Sequence, residues 1–119
     1  MKKILLIILM FFLVGCSNTE NNDGIISYIE AKEKIINEGA ILVDVRTEEE
    51  YNTKHISGAV LLTLDKIDED TTADVVDSKD TPIIVYCQSG NRSNQALNKL
   101  ESLGYTNVYD LGSINNWEE

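Results

Sequence analysis

Pro82 opens an unbroken apolar run, Ile83-Ile84-Val85-Tyr86, which passes without a spacer into Cys87-Gln88-Ser89-Gly90-Asn91-Arg92. Apolar residues then recur at helical spacing, Ala96, Leu97, Leu100 and Leu103, until Gly104 closes the segment. A β-branched run too short for a helix, a Gly-containing turn and an amphipathic helix in direct succession form one strand–loop–helix unit. Such a run, apolar at every position, is buried on both faces, as the strands of a parallel sheet are. The unit commits the chain to an α/β architecture, a mostly parallel central sheet flanked by helices. In that architecture the ligand site lies at the carboxyl ends of the strands.

The rest of the chain alternates in the same way. Ser27 and Glu30 make a capping box for a helix in which Ile29, Ile35 and Ile36 recur at near-helical spacing until Gly39. Ile41-Leu42-Val43-Asp44-Val45 reads as a short buried strand, and Thr47 with Glu50 as a second capping box, whose helix runs to about Lys54. After a turn at Ser57-Gly58, Val60-Leu61-Leu62 forms another strand. Residues 65–80 are acidic and read as one or two short helices with a loop, their charges a solvated face. Residues 107–111 give a last strand, and residues 114–119 a terminal helical turn carrying Trp117. A chain of 119 residues, 43% hydrophobic and 25% charged, has room for one such domain, placed here at residues 25–119.

Ahead of that domain the chain carries an address. Met1-Lys2-Lys3 followed by an apolar run over residues 4–14 reads as a secretion signal. Eleven residues at ~1.5 Å rise reach roughly 16 Å, about half of a ~30 Å hydrocarbon core, which disfavours a permanent span. Leu13-Val14-Gly15-Cys16 resembles a bacterial lipobox, which implies removal of residues 1–15 and acylation of Cys16, palmitate among the chains. Several chains on one residue give stable attachment, each buried CH2 contributing ~0.8 kcal/mol. Residues 16–24, Cys16 followed by SNTENNDG, form a polar tether. The expected location is the bacterial cell envelope, lipid-anchored to a membrane and facing away from the cytoplasm. Losing Lys2 and Lys3 from the 10 basic residues leaves 8 against 20 acidic ones, a formal charge of -12. With no Lys/Arg cluster, nucleic acid is excluded as a partner.

If Cys16 carries lipid, Cys87, the second of two cysteines, is a lone thiol. Free cysteines are commonly buried and inert, so position has to decide. Cys87 stands where a strand ends and a loop begins, before a helix, so backbone N–H groups and a positive helix terminus gather around its sulfur. Surroundings of that kind bind anions and favour a thiolate. Gly90 can take the positive φ of a tight curl, and Ser93 can cap the helix or give its hydroxyl to the sulfur. Arg92 adds a permanent positive charge. No group of His, Cys or carboxylate residues has metal-ligand spacing, and neither a metal nor another cofactor is expected.

The segment Cys87-Gln88-Ser89-Gly90-Asn91-Arg92-Ser93 resembles the active-site loop of single-domain rhodaneses, the thiosulfate sulfurtransferases. Asp44-Val45-Arg46, Glu49-Glu50-Tyr51 and His55-Ile56-Ser57-Gly58-Ala59 resemble that family's first conserved region. Leu103-Gly104-Tyr105, Val108-Tyr109, Leu111-Gly112 and Trp117 resemble its closing strand and turn. The resemblance implies a persulfide on a catalytic Cys87 and substrate contacts from Gln88, Ser89, Gly90, Asn91, Arg92 and Ser93. It also implies a small anionic sulfur donor such as thiosulfate and a thiol or cyanide acceptor. Asp44 and Arg46 are expected to fix the strand end and its turn, and His55 to be a turn residue bonded into the scaffold. Lys54, Thr63 and Ser113 stand where the family commonly has glycine, proline and a second glycine, so local loop shape should differ there.

Four residues separate Cys87 from Arg92, one fewer than a phosphatase loop typically has. The tighter cup suits one extra sulfur and ranks sulfur transfer above phosphatase or arsenate reductase chemistry. A dithiol oxidoreductase lacks its second thiol. The competing reading from another class is a membrane-tethered sulfur carrier or binding module without turnover, against which an intact Cys87 in a complete loop argues.

Overall fold

The structure, a computed structural model, describes residues 24–118. The expected signal segment, Cys16 and all of the tether but Gly24 lie outside the described residues. Among those residues the strands β1 (Ile41–Asp44), β2 (Val60–Leu61), β3 (Ile83–Cys87) and β4 (Val108–Ser113) form one parallel sheet in the order β2-β1-β3-β4. The helices are α1 (Tyr28–Glu38), α2 (Glu48–Thr53), α3 (Glu69–Val75) and α4 (Asn91–Ser102), with 3-10 turns at Leu64–Lys66 and Ile114–Asn116. This is the α/β architecture that the strand–loop–helix unit requires.

β3 runs between β1 and β4 and is buried at all five positions. Successive side chains of a strand point to opposite faces, so β3 feeds two cores. Ile83, Val85 and Cys87 pack with Ala96, Leu97 and Leu100 of α4 and with Ile67, Val76 and Tyr105. Ile84 and Tyr86 face the other way, against Leu42, Ile56, Ala59 and Leu111 and against Ala31 of α1. Both capping boxes form as the sequence requires, Ser27 with Glu30 and Thr47 with Glu50, and Asp68 with Thr71 makes a third at the start of α3. Glu69 of the acidic segment meets Lys79 at 2.8 Å in the open, where an ion pair contributes little.

Several boundaries differ from the sequence reading. β3 includes Cys87, and α4 starts at Asn91 rather than after Arg92, because Gly90 at φ 105 completes the turn early. Ile29 and Ile36 are exposed, 68% and 70%, since the buried stripe of α1 falls on Ala31 and on half-buried Ile35, one turn apart. β4 extends to Ser113 through a register shift opposite Val85 and Tyr86 that places Ser113 beside Cys87. The closing 3-10 turn ends before Trp117, whose ring meets Tyr28 edge-on at 5.0 Å.

The polar centre of the fold is Asp44 at the end of β1. It is fully buried, and Arg46 is 4% exposed. The Asp44 carboxylate accepts the Arg46 backbone N–H at 2.9 Å, Nε at 3.0 Å and Nη2 at 2.8 Å, and the Tyr86 hydroxyl at 2.7 Å. Tyr86 in turn accepts the Ile56 N–H at 3.1 Å, and Arg46 Nη2 donates to the Lys54 carbonyl at 2.6 Å. One carboxylate thus ties β1 and β3 to the chain between α2 and β2, as expected of Asp44 and Arg46. Removing one partner of a buried ion pair leaves an uncompensated charge, a loss of ~3–5 kcal/mol. Asp44→Ala should therefore lower the urea unfolding midpoint by a comparable free energy, and a midpoint equal to the parent's would refute this account.

Candidate active site

Cys87 ends β3 and is fully buried. Its Sγ accepts the backbone N–H of Gly90 at 2.9 Å and that of Ser93 at 3.3 Å. Gly90 is the N-cap residue of α4 and has no side chain to cap it, while Ser93 occupies the third helical position. The third N–H is the one a capping side-chain oxygen ordinarily satisfies. The cysteine sulfur fills that role, so the candidate nucleophile sits at the positive end of a 12-residue helix. The curl that brings it there needs φ 105 at Gly90, a conformation side chains rarely adopt.

Each loop residue singled out by the sequence has a definite place. Ser93 neither caps through its hydroxyl nor gives it to the sulfur: Oγ donates to the Gly90 carbonyl at 3.1 Å, and the backbone N–H reaches the sulfur instead. Gln88 and Ser89 are exposed on the loop, and Asn91, also exposed, accepts a bond from Gln95 at 3.3 Å. The Gln88 carbonyl accepts Ser113 Oγ at 2.7 Å, which anchors the loop to β4. Arg46 Nη1 reaches Gln88 Oε1 at 3.4 Å, which connects the loop to the Asp44 cluster. His55 is exposed, stacked on Tyr51 with centroids 3.7 Å apart, and its Nδ1 donates to the Tyr51 carbonyl at 2.8 Å.

Arg92, the cation of the loop, is already engaged. Its Nη1 and Nη2 donate to the two Glu50 carboxylate oxygens at 2.8 and 3.0 Å, a fork-to-fork pair in which each side chain is about one-third exposed. Glu50 also accepts the Thr47 N–H at 3.0 Å within its capping box. The Arg92 hydrogen bonds, followed by the Thr47 N–H, hold the Glu50 carboxyl down to about 2 from the usual 4.5. The same partnership raises Arg92 above its ordinary value. Reasoning along the sequence gave Glu50 only a capping role. It lies 42 positions from Arg92, and no spacing rule connects the two. Beside the loop lies an open groove of about 450 Å³ between α2, Gln88 and the Ile114–Asn116 turn.

The family described as Rhodanese-like domain matches residues 27–119. Thiosulfate sulfurtransferase PspE of Escherichia coli (strain K12) is 38% identical over 72 residues, 60% of this chain and 68% of that protein. Thiosulfate sulfurtransferase GlpE of Tolumonas auensis is 36% identical over 77 residues, 64% of this chain and 70% of that protein. A solved structure described as rhodanese with anions from E. coli superposes with a TM-score of 0.60 at 32% identity, covering 65% of this chain and 89% of that one.

The Glu50–Arg92 pair also has a pH signature. A carboxyl whose value is lower in the folded state than in the unfolded one contributes stability that is complete above the unfolded value and disappears as pH falls through the folded one. Glu50→Gln should thus be less stable than the parent near neutral pH, with the gap closing between pH 4.5 and about 2. Urea unfolding across that window checks it, and a gap that does not change with pH would count against the pair.

Proposed function

The chain belongs to the rhodanese-like domain family, and from that premise we propose that it is a sulfurtransferase working through a persulfide on Cys87. The observation that carries the reading is the seat of the sulfur, which accepts two backbone N–H groups at the start of α4. In the first step the Cys87 thiolate attacks the outer sulfur of thiosulfate or a similar donor. A bond forms between Sγ and that sulfur, the bond to the sulfite sulfur breaks, and sulfite leaves with the electron pair. The Gly90 and Ser93 N–H groups and the helix terminus stabilise negative charge on the sulfur in the cup. In the second step a thiol or cyanide attacks the outer sulfur and the Cys87 thiolate leaves. Both attacking groups are good nucleophiles without assistance, so a general base is not needed and His55 has no part in the chemistry. The two named thiosulfate sulfurtransferases among the relatives support the choice of reaction.

The lipobox-like Leu13-Val14-Gly15-Cys16 supports a second element of the proposal, a lipid anchor on Cys16 that holds this domain at the cell envelope outside the cytoplasm. Cys16→Ser should then shift the protein from the membrane fraction of expressing bacteria to the soluble or unprocessed pool, and an unchanged, fully processed membrane fraction would dismiss the anchor.

Thiocyanate formation from thiosulfate and cyanide tests the chemistry. The parent should turn over, and Cys87→Ser should fall to the uncatalysed background while keeping its fold. Mass spectrometry after thiosulfate treatment should show one added sulfur atom on the parent alone. Retention of that sulfur in the presence of a thiol or cyanide would replace the enzyme with a carrier.

A further inference from the structure

Both arginines beside the sulfur cup are engaged. Arg46 is buried and satisfied by Asp44 and the Lys54 carbonyl, and Arg92, the one charged residue between Cys87 and Ser93, is locked onto Glu50. Glu50 cannot readily release it, because the same carboxylate is pinned by the Thr47 N–H and hydroxyl as the third residue of α2. The remaining charged side chains lining the groove are one cation, Lys54, and one anion, Glu49, so they add no net charge to it. The chain as a whole carries a formal charge of -10. Among the described residues, a dianion approaching this site therefore meets no net positive side-chain charge, only the backbone N–H groups and the helix terminus, and it meets the repulsion of the acidic chain with twice the charge of a monoanion.

The groove points the same way. A sulfite-sized leaving group needs little space, whereas about 450 Å³ bordered by Ile114, Thr53, Asn115 and Gln88 is the size of a site for a small organic molecule. We propose that Glu50 is a specificity-determining residue: by holding Arg92 it turns the Cys87 site from dianionic thiosulfate toward sulfane sulfur carried, with a single negative charge, on an organic group seated in the groove. For a thiosulfonate donor the step balances without proton or redox partner. Cys87–S⁻ attacks the outer sulfur of R–SO2–S⁻, the new S–S bond forms, the old one breaks, and the sulfinate R–SO2⁻ leaves with the electron pair, giving Cys87–S–S⁻. The inference rests on the sulfurtransferase reading, and its test separates the two.

Thiosulfate and methanethiosulfonate have the same reacting sulfur and differ by one charge and a methyl group. With purified full-length chain and cyanide as acceptor, kcat/KM is measured for each donor in the parent and in Glu50→Gln, which can still cap α2. The variant should raise kcat/KM for thiosulfate about tenfold and that for methanethiosulfonate much less, and added salt should narrow the difference. A second measurement needs no variant: in the parent, rising ionic strength should increase the thiosulfate value relative to the methanethiosulfonate value, because screening weakens a repulsion. A relative fall with salt would reveal a free cation attracting the dianion and overturn the proposal. So would a donor ratio that Glu50→Gln leaves unchanged while Cys87-dependent transfer persists. Transfer from neither donor that depends on Cys87 would defeat the sulfurtransferase reading itself.

Discussion

Asp44 is a buried carboxylate that has to be satisfied, and the fold is arranged so that only one register satisfies it. Its partners are Arg46, two residues on, and Tyr86, which lies directly across from it in the β1–β3 pairing. A slip of one residue along β3 would turn Tyr86 to the other face and leave Asp44 and Arg46 without their shared partner. A buried ion pair is a weak source of net stability, because both ions are stripped of water. Its value here lies in the alternatives it makes unfavourable. The same cluster sets the height of the turn that follows α2, through Lys54 and Ile56, and reaches the Cys87 loop through Gln88.

The second constraint joins folding and chemistry in the same atoms. α4 begins on a glycine that offers no cap, and a strand residue supplies the acceptor that its first turn lacks. The site is thus the terminus of a helix required by the core, since Ala96, Leu97 and Leu100 of that helix cover the face of β3 that ends in Cys87. The Arg92–Glu50 pair then links the first turn of α4 to α2, so the two helices on either side of the cup hold each other.

What could be read from the sequence was what local chemistry decides. The β3 run, the capping boxes at Ser27 and Thr47, the turn glycines and the position of Cys87 at a strand end all follow from neighbours within a few residues. The exact start of α4 did not, because a positive φ at Gly90 shortens the loop by more than composition reveals. Ile29 and Ile36 look like a core stripe, but the phase of a short helix is set by what it packs on, and the sheet takes Ala31 and Ile35. The Glu50–Arg92 and Ser113–Gln88 contacts span 42 and 25 positions and are made only when the sheet brings their segments together. Both act on the site, so the legible part was the place of Cys87 at the strand end and the illegible part its electrostatic setting.

The sulfur's double duty makes substitutions at position 87 unequal. Serine keeps an acceptor near the N–H groups of Gly90 and Ser93, whereas alanine strips two donors at the head of a 12-residue helix of any partner. On the sulfurtransferase reading, drift away from catalysis therefore has an easy and a difficult exit. A descendant that exchanges the thiol for a small hydroxyl residue would lose that chemistry with the start of α4 intact. One that takes alanine must first find another way to begin its helix.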